Sequence, residues 1–400
     1  MPSTSSPSQT LDIEGLIEFT CRLVRVKSVN RPDEGLGEAE AVEVVRQQAE
    51  TFGWDVLIEE VEPGRPNVIV EIDGGMPGKT LLFEGHTDVV TEGDIKDWSF
   101  DPFCGDLVDG KICGRGAADM KGGVAAMMFA TKAIQESGPF PGKIKLGILC
   151  DEEEMMIGVH DFIRRGHADG VDGAIVCEPE AGEICTVQKG AIRLQVDVFG
   201  VMAHGAMPHQ GKNPVSAAAL LIAVLASLEK GLQSTHGEHE HLGLPYVTPT
   251  HFAAGSLPQL NVIPSQALLT LDIRTIPGID HEYLLKTIRG LADGVSEETG
   301  VEFEFTVLVD RPPTETPLDD PIVRAVVEAH EAVTGNPAVF GGVPGTTDGT
   351  ILWRDAGLPI VVYGPGGKWI AHQHDEYVEV DDLVSHARVY VDAARRFLAS

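Results

Sequence analysis

Basic residues are scarce in this chain. Thirty Lys and Arg stand against 61 Asp and Glu in 400 residues, a formal net charge of −31. So acidic a protein repels phosphate backbones and anionic lipid, which argues against nucleic-acid partners and against membrane attachment. Cysteine is also sparse. Cys21, Cys104, Cys113, Cys150, Cys177 and Cys185 include no CxxC pair and make no disulfide framework in a chain of this length. Reduced thiols in a cytoplasmic protein are the expectation. Long apolar runs are missing too: the longest, Ala217 to Ala226, is about half of what a bilayer-spanning helix needs. Residues 1–10 are polar, carry neither region of a secretory signal, and read as a disordered lead. With 43% apolar residues the remainder reads as globular, and the length exceeds what one hydrophobic core fills, so two domains are expected.

Periodicity supports an interrupted α/β architecture. Helical spacing marks Ile13 to Val24 and Glu38 to Phe52, and strand patterns follow at Trp54 to Val61, Asn67 to Ile72 and Thr80 to Phe83. A helix over Gly123 to Gln135 separates these from strands at Lys143 to Cys150 and Ala174 to Cys177. From about Gln188 the order becomes strand, helix, two strands, helix, strand, which is the split-βαβ arrangement of one small α+β domain. The helix that follows carries Asp320 as N-cap, Pro321 in its first turn and Gly335 past its end. Then come a buried strand at Leu358 to Tyr363 and a closing amphipathic helix at Leu383 to Leu398. The division predicted is 1–188 and 313–400 for a catalytic domain with helices on both faces of its sheet, interrupted by an inserted domain over 189–312. No internal repeat is visible.

Acidic and histidine-bearing segments sit where predicted strands end. Gly85-His86-Thr87-Asp88 follows one strand, Asp151-Glu152-Glu153-Glu154 another, and Glu178-Pro179 a third, while Asp119 lies in a glycine-rich turn opening a helix. The carboxyl ends of strands in an open α/β sheet converge on one crevice, so these groups can meet. Gathered carboxylates repel unless cations lie between them, and mixed His and carboxylate ligands suit zinc. His86 with Asp88 two residues on fits a ligand and the group that orients it. Near the end of the chain Ala371-His372-Gln373-His374-Asp375-Glu376 offers two further histidines. Cys150 and Cys177 precede acidic residues and should point to the opposite sheet face as buried hydrophobes. The stretch around His236, His239 and His241 reads as an exposed loop. Gly364-Pro-Gly-Gly-Lys368 fails the phosphate-loop pattern, and its glycines, Gly366 among them, are expected to let backbone approach a substrate.

In order and wording these segments resemble the co-catalytic zinc amidohydrolases and metallopeptidases that include acetylornithine deacetylase, succinyl-diaminopimelate desuccinylase, aminoacylase-1 and carboxypeptidase G. The resemblance runs from His86 to Tyr377 and implies a zinc-exopeptidase-like mixed-sheet domain with an inserted ferredoxin-like dimerisation domain. It implies two divalent ions per chain, zinc expected and cobalt or manganese as alternatives. Asp119 would bridge them, His86 and Glu178 would complete one site, and Glu153 and His372 the other. His372 rather than His374 is selected because the ligand is followed by three residues and then Glu376. Glu152 would be the general acid/base and Asp88 would orient His86. Gly200-Val-Met-Ala-His204 resembles the segment whose histidine enters a partner subunit's cleft, and Asn261 and Arg274 fall in its substrate-binding strands. Gly205 stands where many members have Ser, and the extra Glu154 leaves the register of the acidic run open.

The reaction implied is hydrolysis of an amide bond in an N-acyl amino acid or related small molecule bearing a carboxylate, by a homodimer. A dipeptidase or carboxypeptidase, and an aromatic-amine aminohydrolase, are the alternatives on the same site. A non-catalytic binding protein on this fold would lack ligands or the base, and all candidates are present.

Overall fold

A computed structural model describes residues 11–400. The polar lead of residues 1–10 lies outside the described residues. Contacts divide the chain into two compact units. The larger holds the described residues up to Thr186 together with Thr316–Gly342 and Thr347–Ser400, and the smaller holds Val187–Glu315 and Val343–Thr346. That last short segment lies outside the insertion as the sequence divides it.

In the larger unit a mixed sheet runs in the order Leu57–Glu62, Arg65–Asp73, Phe140–Leu149, Gly75–His86, Gly173–Pro179, Ile360–Gly364. The first two pairings are antiparallel, and the last four strands run parallel to one another. Strand alternation distributes the core: Leu81 and Phe83 join one apolar cluster and Leu82 another on the opposite face. The first cluster takes helices Ile13–Val24, Ala39–Thr51, Gly122–Glu136, Pro321–Thr334 and Val380–Leu398, and the second takes Ile157–Arg164 and Asp348–Ala356. Parallel strands covered on both faces explain why they read as continuous apolar runs. Asp320 accepts the Ile322 N–H at 3.0 Å, Pro321 begins the helix, and Gly335 closes it at φ +71.

The smaller unit is a four-stranded antiparallel sheet in the order Tyr246–Ala254, Gln266–Thr275, Gly190–Phe199, Glu302–Arg311. Ile192, Leu194, Val196 and Val198 alternate into a core shared with helices Pro214–His236 and His281–Thr299. The apolar run expected to be too short for a bilayer sits within a helix of 23 residues whose length and composition alone would suffice to cross one. Small residues and Leu228 and Leu232 extend it beyond the run. Ala217, Ala218, Leu221 and Leu225 form its buried stripe, while Val215 and Leu220 are exposed.

Candidate metal centre and active site

The parallel strands deliver their carboxyl ends to one place. His86 is the last residue of its strand, Glu178 lies near the end of the next, and Asp151-Glu152-Glu153 follows Leu149. Helix Gly122–Glu136 brings Asp119 among them because it passes against the Glu178 strand: a Cβ on Gly123 would sit 2.1 Å from the Cys177 carbonyl oxygen. Cys177 points into the opposite apolar cluster, as strand alternation requires, and Cys150 is buried.

The His86 ring donates from Nδ1 to the Asp88 carbonyl at 2.9 Å, which in the neutral ring leaves Nε2 as a lone-pair donor. Nε2 is buried without a hydrogen bond and faces Asp119 Oδ1 and Glu178 Oε1 at 3.3 Å each, with Glu152 Oε2 at 3.9 Å. His372 Nε2 lies 3.2 Å from Asp119 Oδ2 and 3.1 Å from Glu153 Oε2. Asp119 therefore turns one oxygen to each imidazole. His374 instead packs its ring edge-on to Trp98, 5.9 Å away. Glu154 is exposed and lines a separate cavity of about 470 Å³ with Arg31, Glu34 and Arg65. Mixed imidazole and carboxylate donors around an orphaned ring nitrogen fit a pair of divalent cations.

The electrostatics agree with that donor set. Burial and the neighbouring Asp119 push the Glu178 pKa up to about 8. Burial, then Glu178 and Glu153, raise Glu152 well above the usual carboxylate range. Hydrogen bonds to Asp119 and Glu153 push His372 up to about 11. Burial works against a charged His86, yet Glu178, Asp119 and Asp88 outweigh it and hold its pKa well above the ordinary value. Crowded acids and imidazoles that shift one another's protons mark a functional cluster.

Asp88 does more than face His86. Its two carboxylate oxygens accept the backbone N–H groups of Glu152 and Glu153, each at 3.2 Å, and Asn30 Nδ2 donates to it at 3.0 Å. Asn30 also reaches Asp151 at 2.8 Å, and Asp151 is held by Arg65, itself paired with Glu38. Asp151 and His372 both adopt left-handed φ, +66 and +63. Sequence reasoning missed Asn30, Arg65 and Glu38, whose partners lie far along the chain. It also missed Glu84, fully buried beside Asp348 and raised well above its usual pKa by burial, then by Asp348 and Glu178. Its place two residues before His86, on the same strand face, was the available signal.

Gly366 has φ +106, and a Cβ there would lie 2.9 Å from the Ala118 Cβ, so this loop closes against the Asp119 turn. Lys368 in the same loop pairs with Glu180 at 3.1 Å and with Glu183, which accounts for its charge without a phosphate.

The remaining expected residues belong to the smaller unit. His204 pairs with Val262 in a two-residue strand, and Gly205 donates to the Asn261 carbonyl at 2.7 Å, so His204 and Asn261 are neighbours, both exposed. His204 Nδ1 accepts the Ala206 N–H at 3.0 Å, which assigns the ring proton to Nε2 in the neutral form. Arg274 forks onto Asp272 at 2.6 and 3.1 Å. His239 and His241 occupy a turn, rings 6.1 Å apart.

Residues 82–396 match the model of peptidase family M20/M25/M40. A succinyl-diaminopimelate desuccinylase of Cereibacter sphaeroides is 33% identical over 396 residues, 96% of this chain and 99% of that one. A probable succinyl-diaminopimelate desuccinylase of Staphylococcus epidermidis is 28% identical over 387 residues, 90% and 93% of the two chains. Among solved structures, an aminopeptidase of Bacillus cereus superimposes with a TM-score of 0.80 at 21% identity, covering 98% of this chain and 100% of the other. An M20-family metallo-carboxypeptidase of Sulfolobus solfataricus gives 0.76 at 21% identity, covering 97% and 99%. These two likenesses describe the shared mixed-sheet fold. With four-fifths of its length under the family model and relatives matched nearly end to end, the chain belongs to peptidase family M20/M25/M40, a family of hydrolases.

Proposed function

We propose that this chain is a dinuclear metal amidohydrolase that removes the acyl group from an N-succinyl or related N-acyl amino acid. The observation that carries the reading is Asp119 with one oxygen beside His86 and the other beside His372, at 3.3 and 3.2 Å. His86, Glu178 and Asp119 would hold one ion, and Glu153, His372 and Asp119 the second. Zinc fits these ligands, with cobalt or manganese as alternatives set by supply. When bound, such ions supply Lewis acidity that makes water a nucleophile near neutral pH. Glu152, buried and raised in pKa, takes the proton of the attacking water and later returns it to the leaving nitrogen. Its distance from His86 Nε2, longer than those of Asp119 and Glu178, suits a base better than a ligand.

The names of the relatives point to a substrate with a carboxylate at each end. Arg274 and Asn261 are assigned to one carboxylate, Gly366 to backbone contact, and His204 Nε2 to the developing oxyanion of a partner subunit's reaction. A homodimer built on the smaller unit is part of this reading. So is a cytoplasmic location, which the six free cysteines support. The test is a hydrolysis screen of N-succinyl and N-acetyl amino acids and of dipeptides, with added zinc, cobalt or manganese. Turnover of N-succinyl diamino acids above the others is expected. Dipeptide cleavage alone would replace the deacylase reading with a peptidase one.

A further inference from the structure

A second buried ion pair lies behind the acid cluster. Arg115 and Glu376 are 2% and 0% exposed, and Arg115 Nη1 donates to Glu376 Oε2 at 2.5 Å. The other oxygen, Oε1, accepts the backbone N–H groups of Ala118 at 3.0 Å and Asp119 at 3.1 Å. The same guanidinium reaches the carbonyls of Gln373 at 3.2 Å and Thr91 at 3.3 Å and lies 5.2 Å from the Trp98 ring centre. Gly114 closes the arrangement by donating to the Glu376 carbonyl at 2.9 Å. One ion pair thus touches the turn that carries Asp119, the residue after His372, and the loop beyond Asp88.

Neither side chain faces the acid cluster as a ligand, yet Glu376 holds the Asp119 N–H itself and Arg115 holds the carbonyl of Gln373, next to His372. The Asp119 backbone is not helical, at φ −115 and ψ 97, so its N–H has no helix partner and Glu376 supplies one. His372 sits in a left-handed turn, which needs surrounding contacts to persist. Arg115 is suited to this because its planar fork spans several acceptors at fixed angles, where an ammonium holds one point.

We propose that the Arg115–Glu376 pair is a positioning clamp that fixes the spacing between the loop of Asp119 and the loop of His372, and so the affinity for the second metal ion. The clamp rests on the reading of Asp119 and His372 as ligands. Residues outside the coordination sphere that orient ligands commonly change metal affinity 10- to 100-fold, roughly, when substituted.

The experiment uses metal-stripped full-length protein titrated with zinc against a chromophoric chelator, with far-UV circular dichroism and thermal melting in parallel. Glu376→Gln, which keeps shape and removes the charge, is expected to bind the weaker zinc about 10- to 100-fold less tightly and to lose kcat more than KM rises. Arg115→Lys retains the buried charge balance and hence the fold, but cannot reach Glu376, Gln373 and Thr91 together. It is expected to weaken the second zinc by about tenfold. Wild-type protein that binds two zinc ions alongside folded variants that bind both with unchanged affinity overturns the clamp alone, even if the variants melt lower. If Glu376→Gln does not fold, Arg115→Lys with wild-type zinc affinity overturns it. Wild-type protein that takes up no zinc overturns the metal reading, and the clamp with it.

Discussion

His86 and His204 are assigned to one reaction, yet their surroundings are opposite. His86 is fully buried, its tautomer set by a carbonyl, its other nitrogen ringed by carboxylates. His204 is exposed, held by one backbone N–H in a two-residue strand. The same holds for their neighbours. Asp88 receives two backbone amides and an asparagine, whereas Arg274 has one carboxylate beside it and Asn261 stands at the surface. Groups proposed to hold a fixed cation must resist mutual repulsion, and on the His86 side the larger unit braces them with a hydrogen-bonded shell, while His372 stays half exposed. Groups proposed to meet an arriving substrate need an atom within reach of solvent, and in the smaller unit His204 and Asn261 are exposed and Arg274 partly so.

The sharpest way to test this contrast is at the acidic run. Glu152→Gln should preserve fold and metal content and lower kcat by about 10²–10⁴-fold, measured by steady-state kinetics with metal analysis. Glu153→Gln should instead bring metal content from two ions per chain toward one. An exchange of these phenotypes would reverse the roles of the two residues.

A smaller effect is expected at the open group. Arg274→Ala removes a charge-assisted contact of about 1.5–3 kcal/mol and should raise KM for a carboxylate substrate roughly 10- to 100-fold, with metal content unchanged. A fall in metal content there would erase the distinction between the two units. Mixing His204→Ala with Glu152→Ala subunits should restore about a quarter of wild-type sites, since at random exchange half the dimers are mixed and one cleft in each is intact. No recovery under demonstrated exchange would mean His204 does not act across subunits.

The smallest signal is a proton count. Glu178, with a pKa of about 8, and His372, of about 11, both hold protons at pH 7, and metal ligation requires them to leave. Zinc loading of stripped protein should therefore release protons, and apparent affinity should fall as pH is lowered. Calorimetry in buffers of different ionisation enthalpy reads the number released.

Much of the fold is legible in the sequence because alternation and helical spacing survive in it. The strands carrying His86 and Glu178 were visible as apolar runs ending in acids. Edges moved where pairing or packing overrode pattern. The His86 strand begins at Gly75 rather than Thr80 because Gly75 pairs with Phe140. Trp54 does not begin a strand because its ring packs on Phe52, 4.9 Å between centres, and its N–H reaches Gln135. Helix Pro214–His236 runs ten residues past the apolar stretch that ends at Ala226, because Leu228 and Leu232 still pack on the core. The acids and imidazoles announced themselves by residue type at strand ends. Their supports did not: Asn30, Glu38, Arg65 and Asp348 act across long stretches of chain, and a lone polar residue carries no period that would reveal its partner.

The strand Ile360–Gly364 is hydrogen-bonded to Gly173–Pro179, pairing Ile360 with Ala174 across the whole inserted unit. On a ribosome, the strand bearing Glu178 therefore emerges long before its neighbour exists. The smaller unit, with its contacts closer in sequence, can close while that edge still waits. Long-range parallel pairing is slow to form, so the sheet and its acid cluster are expected to be the late event in biogenesis. During that interval the strand edge at Val176 lacks the neighbour it pairs with in the folded chain.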